Sequence, residues 1–182
     1  MIGRVTCNDD RMDTWGSALY GDPCRECGFL WSVSLDDATV LISEVPASYE
    51  QILVSATGAE RHPDLGWSVG AYVCHVADNL HIWAERLAGA TAGAGAVIGA
   101  YDQDLLAAAR AYEKIPLAAA EWSLRRAVAE WLEVVARSGS TEVLLIHPER
   151  GALTLEDIAC ANAHDAHHHL WDIQRSLEAV AN

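Results

Sequence analysis

Ala38, Leu41, Ile42, Val45, Tyr49, Ile52 and Leu53 return at intervals of three and four residues, which puts them on one stripe of a helix. Ser34 followed by Asp37 is a capping arrangement for its start. Pro46 interrupts the stripe; it removes a hydrogen bond and crowds the preceding turn, so a kink or break is expected there. A second helix is predicted from Trp67–Ser68, with Ala71, Tyr72, Val76, Leu80, Trp83 and Leu87 on its apolar side. The segment AGATAGAGAVIGA (88–100) carries Gly89, Gly93, Gly95 and Gly99 and reads as a mobile connection rather than a helix. Residues 102–113 suit a short helix. Pro116 suits the first turn of a third long one, with Trp122, Leu124, Val128, Trp131, Leu132 and Val135 marking its buried side and RSGST stopping it. TEVLLIHPERGALT reads as a loop with a short extended stretch. Thr154 with Asp157 resembles a capping box, and a fourth helix runs from about Leu155 to Val180. Four long amphipathic helices without a clear strand indicate an all-α, antiparallel four-helix bundle over residues 34–182. Residues 1–33 show no periodicity and read as an irregular N-terminal arm.

The chain of 182 residues is long enough to bury a core without cross-links. Hydrophobic residues make up 51% and charged residues 21%, a globular composition. No apolar run reaches the ~20 residues of a membrane span. The N-terminus lacks the apolar core of a signal peptide, so the expected location is the cytoplasm. The formal charge of −14 repels nucleic-acid phosphates and attracts divalent cations. No nucleic-acid or membrane partner is expected, whereas a small-molecule substrate and a homodimer built on exposed apolar faces are. The odd count of five cysteines argues against a disulfide framework. Cys74 and Cys160 fall in apolar helical patterns and read as core residues.

Chemistry concentrates in NAHDAHHHLWDI (162–173), which holds half of the eight histidines. The run is internal and its amphipathic pattern continues beyond it, so it is not a tag. His164 and His168, four apart, share a helix face and can grip one cation; His164 and His167, three apart, are the alternative pair. Two ligands do not make a tight site, because catalytic zinc keeps three protein ligands and one open position. His75, mid-helix among apolar neighbours, is the best third candidate, since a buried imidazole needs a partner. His81 lies about 240° around the axis from it, and His62 and His147 fall in loops. His167 and His169 are expected to face solvent or a neighbouring helix. The bland alternative is a solvated polar face opposite a hydrogen-bonded core histidine.

WSVGAYVCHVAD (67–78) and GALTLEDIACANAHDAHHHLWDI (151–173) together resemble the DinB-like (DinB/YfiT-like) family over roughly residues 34–178. The resemblance implies a four-helix bundle with one long crossover and one divalent metal held by a helix-two histidine and a closing His-x-x-x-His pair. Carried onto this chain, it selects His75, His164 and His168. It also implies metal-dependent thiol S-transferase or thiol-dependent isomerase chemistry, because an open metal position deprotonates a low-molecular-weight thiol outright. Lys114 is the only lysine and Ala is abundant, a bias that suggests a GC-rich genome; if that genome is actinobacterial, mycothiol is the thiol to expect. Imidazole ligands suit zinc first, with nickel, iron and copper as alternatives. Trp67, Tyr72, Trp83 and Trp171 are candidate pocket residues, and Asp78 and Asp172 candidate carboxylate partners for imidazole N–H groups. The departures from the family pattern are the arm, the glycine-rich connection and His167.

CRECGF (24–29) is a Cys-x-x-Cys. It supplies half of a zinc site, with Cys7 or His62 as candidate further ligands, or a reversible disulfide, or simply two packed thiols. The leading expectation is thus an enzyme. A non-catalytic metal or ligand holder, with a sequestration or stress role, is the alternative, and a structural dimer with surface histidines the third.

Overall fold

Ser34 starts the first long helix as the sequence implies: its Oγ accepts from Asp37 N–H at 3.1 Å, and Asp37 Oδ2 accepts from Ser34 N–H at 3.3 Å. The computed structural model describes residues 15–93, 97–138 and 144–181. Within them α1 is a five-residue turn, Gly16–Tyr20. It is followed by α2 Leu35–Leu53, α3 Val69–Thr91, α4 Gln103–Arg110, a 3-10 turn Tyr112–Lys114, and α5 Leu117–Ser138. Strands β1 Leu144–His147 and β2 Gly151–Thr154 form an antiparallel hairpin that leads into α6, Leu155–Ala181. Thr154 and Asp157 close the capping box of α6 at 2.8 and 3.1 Å.

The long helices α2, α3, α5 and α6 form the bundle. Both α2 and α3 pack against α5 and α6. Consecutive helices α2 and α3 therefore sit on one diagonal, and α5 and α6 on the other. The core draws on all four long helices, with Tyr49, Ile42, Leu80, Leu87, Leu124, Trp131, Ile158 and Ile173 shut off from solvent. Cys74 and Cys160 are also buried. Among the described residues, no helix is long and apolar enough to cross a membrane.

Four local expectations change. Pro46 does not end α2, which runs through it. Residues 88–91 continue α3 despite Gly89, because Leu87 is buried and anchors the last turns; Gly95 lies outside the described residues. The extended stretch before α6 is a paired hairpin rather than a loop. Trp122 is 61% exposed: nine residues before Trp131, it lies about half a turn round the helix from the buried stripe. The arm also does more than trail. Cys24, Phe29 and Trp31 are in the core cluster, so residues 15–33 pack onto the bundle.

Candidate metal centre

Three helices fix the rotation of α6 within little more than one turn. Trp131 of α5 donates its indole N–H to Asn162 Oδ1 at 2.9 Å. Tyr49 of α2 donates its hydroxyl to the carbonyl of Ala166 at 2.8 Å. Asn79 of α3 donates to Asp165 Oδ2 at 2.9 Å. These bonds are buried or half-buried, and losing a partner there costs more than the bond itself is worth. They decide which α6 side chains meet which neighbours.

The result divides the histidines singled out by sequence. His164 and His168 lie with Cys24 and Cys27, whereas His75 lies with Asp165 and His169; within each group the candidate ligand atoms are all within 4.8 Å of one another. The physical reason is a one-residue offset. Positions 164 and 168 point at the arm, and positions 165 and 169, about 100° further round, point at α3. His167 is exposed, with its Nε2 3.2 Å from the carbonyl of Cys27. His62 is on a loop beside Asp64, and His81 pairs with Glu130 at 2.9 Å. His147 is buried at the end of β1 and accepts from the backbone of Glu149 and Arg150. Cys7 lies outside the described residues.

In the α3-facing group, Asp165 Oδ1 is 3.5 Å from His75 Nε2 and 3.6 Å from His169 Nε2. The two imidazoles meet edge to face with centroids 4.8 Å apart. His75 Nε2 is shut off from solvent and makes no hydrogen bond among the described residues. Two ligand atoms each ~2.1 Å from a tetrahedral ion stand ~3.4 Å apart, so this spacing fits donors around one cation better than it fits hydrogen bonds. The other atoms of His169 and Asp165 are already engaged, Asp165 Oδ2 by Asn79. Asp172 Oδ2 is 3.0 Å from His169 Nδ1, and Tyr101 donates to Asn79 Oδ1 at 2.9 Å. Burial alone would raise Asp165, but the imidazoles of His75 and His169 hold its carboxyl well below the usual range. Burial alone would lower His169, but Asp165 and Asp172 outweigh it and raise the imidazole.

His75 and Asp165 also line a cavity of about 510 Å³, with Asn79, Arg86, Tyr101 and Arg150 among its other walls. Of the aromatic candidates, Trp83 lines this cavity, Trp67 packs 4.9 Å from His75 and Tyr72 5.1 Å from His169. Trp171 lies instead beside His168, under Arg175. Asp172 takes the imidazole-supporting place expected of it, while Asp78 pairs with Arg110 and Tyr112.

In the arm-facing group, Cys24 Sγ is 3.8 Å from His168 Nδ1, and Glu26 reaches His168 Nε2 at 3.2 Å. Burial, then His168, push His164 down to about 3, so its ring is neutral near pH 7. Burial pushes the Cys27 thiol up to about 12, with Cys24 adding to it and the Phe29 backbone opposing. Asp165 and His169 are candidate ligands that the sequence reading does not single out. The visible signal was Asp165-x-x-x-His169, the same four-residue spacing as His164-x-x-x-His168.

Residues 43–173 match the family model of the DinB superfamily. Among solved structures the chain resembles YfiT from Bacillus subtilis, described as a probable metal-dependent hydrolase with an unusual four-helix bundle topology. The TM-score is 0.70 at 19% identity, over 81% of this chain and 87% of that one. At that identity the likeness speaks to fold alone. No curated protein matches the chain.

Proposed function

The chain belongs to the DinB superfamily, and on that premise we propose that it is a metal-dependent enzyme centred on His75, Asp165 and His169. The observation that carries this reading is the solvent-excluded His75 Nε2, unbonded and facing two other donor atoms at the edge of a cavity. Two imidazoles and a carboxylate leave a position free, the donor pattern of catalytic rather than closed sites. A non-catalytic holder would close the sphere, which is why catalysis is preferred over sequestration. Zinc fits on availability, with nickel or iron as alternatives.

A divalent cation bound there supplies Lewis acidity that lowers the pKa of a thiol or water brought to it. The residues do the rest. Asp172 holds His169 so that Nε2 faces the centre, and Asn79 occupies one oxygen of Asp165 so that the other is presented. Arg86 and Arg150 line the cavity beside Asp102, Glu149 and Asp165, so two guanidinium groups are placed to pair with an anionic group of a small substrate. The nucleophile we propose is a low-molecular-weight thiol, mycothiol being the first to test. Its S–H proton passes to solvent and its sulfur forms a C–S bond to an electrophilic carbon. In S-transfer the bond to the leaving group breaks and that group departs with the electron pair. In isomerisation the sulfur adds across a C=C bond, which becomes a single bond, and the C–S bond breaks again after rotation to return the thiolate. Hydrolysis is the second reading, taken from the description of YfiT as a probable metal-dependent hydrolase. The reading keeps the protein cytoplasmic and without a nucleic-acid partner, and a homodimer is testable by sedimentation.

The test is a zinc- or nickel-loaded screen of electrophiles for thiol consumption, beside a panel of esters and amides for hydrolysis. Turnover in the first panel that disappears in His75→Ala and Asp165→Asn is the expected result. Turnover only in the second selects hydrolysis. Turnover that survives both substitutions and chelation overturns the assignment.

A further inference from the structure

Cys24 and Cys27 play no part in the centre just described, yet they are not idle surface thiols. Gly28, at φ +74°, closes a tight loop in which Gly28 N–H donates to the carbonyl of Cys24 and Cys24 N–H to that of Phe29, at 2.9 and 2.8 Å. This brings both sulfurs to the same place as the two imidazoles. All four ligand atoms are mutually within 4.8 Å. Around a tetrahedral zinc, a sulfur at ~2.3 Å and a nitrogen at ~2.05 Å stand ~3.6 Å apart; Cys24 Sγ and His168 Nδ1 are 3.8 Å apart. His168 turns its other nitrogen to Glu26, the carboxylate–imidazole arrangement that orients metal-bound histidines. His164 is 95% buried and its Nε2 makes no hydrogen bond among the described residues. Tyr20, Phe29 and Trp31 pack around its ring at 4.8, 5.3 and 4.2 Å, and His164 reaches the cavity wall together with Tyr20 and Trp31.

We propose that Cys24, Cys27, His164 and His168 bind a second metal ion, zinc, in a closed four-ligand site that clamps the N-terminal arm onto α6. Two sulfurs and two imidazole nitrogens are a soft, tetrahedral donor set, which selects zinc over magnesium or calcium. Four protein ligands leave no position for substrate, so the site is structural. It nevertheless bears on the cavity, because Tyr20 and Trp31 of the clamped arm form part of the cavity wall.

The experiment uses the full chain, untagged, purified anaerobically and loaded with Co²⁺ or Zn²⁺. The expected result is a thiolate-to-cobalt charge-transfer absorption and zinc that remains bound in His75→Ala. In Cys24→Ser and His168→Ala that absorption is lost together with one equivalent of zinc. Cys27→His, which keeps a ligand at that position, retains the zinc with weaker charge transfer, and circular dichroism confirms that each variant is folded. Chelation exposes residues 15–33 to protease in the wild type. The proposal is overturned by absence of thiolate–cobalt absorption in the reduced protein. It is equally overturned by undiminished absorption in the Cys24→Ser, Cys27→Ser double variant, or by a Cys24–Cys27 disulfide in the anaerobic, zinc-loaded protein. Because His75→Ala affects only the other centre, failure of the catalytic assignment and failure of this one are read separately.

Discussion

Two pairs of residues on α6, 164 with 168 and 165 with 169, have identical spacing and differ by a single step along the helix. One pair faces the arm and meets two thiols; the other faces α3 and meets a lone imidazole, and one residue of each pair, His164 and Asp165, reaches the wall of the same cavity. The difference in surroundings separates their chemistry. Sulfur-rich, four-donor, aromatic-walled surroundings make a closed site. Three hard or borderline donors beside a polar cavity leave a position open. Spacing along a helix thus marks where a cation can be held, and the elements packed against each face decide what kind of centre results.

His75→Ala should show the largest divergence between the two. Turnover falls to background, while the thiolate–cobalt absorption of the arm-facing group is unchanged. Equal loss of both signals would merge the two sites into one. Next in size, Cys24→Ser should lower the melting midpoint of the zinc-loaded protein by ~10 °C: closed zinc sites contribute several kcal/mol to folding, and ~1 kcal/mol shifts a chain of this length by ~2–4 °C. A midpoint unchanged with and without chelator would remove the structural role. Asn79→Ala frees Asp165 Oδ2 and should weaken metal binding at the α3-facing centre by ~10–100-fold, read by competition titration, with no change at the other.

Smaller effects test what holds α6 in register. Tyr49→Phe removes the bond to the Ala166 carbonyl and should cost about 1 kcal/mol in denaturant unfolding. The smallest effect concerns His147, which lines the cavity but belongs to neither donor group. Burial first, then Arg150 and Arg86, lower its pKa in the fold. The unfolded chain therefore binds the proton more readily. The stability of the neutral form is complete above the ordinary histidine range and declines as pH falls through the folded value. His147→Gln should flatten that acid limb, and an unaltered limb would reject the account.

Much of the architecture was readable along the chain. Apolar positions at helical spacing, Ser34 with Asp37, Ser68 and Thr154 with Asp157 located the long helices to within a residue or two of their starts, because capping and burial are local demands. Pro46 and Gly89 misled for the complementary reason: their local cost is smaller than what helix packing returns. The histidine run lies on the turns of α6 that carry both candidate donor groups, and His75 lies on the helix facing one of them. What the run did not contain was its own rotation. Trp131, Tyr49 and Asn79, from three different helices, set that rotation by hydrogen bonds formed only on packing.

The amino-acid order by itself determined that four amphipathic helices form and that imidazole and thiol donors are available at compatible spacing, since periodicity and residue chemistry are properties of each segment alone. Only the tertiary structure decided which donors meet. A one-residue step turns a side chain by about 100°, so the choice between neighbouring ligand pairs is made by the packing of all four helices and the arm, and by nothing within α6.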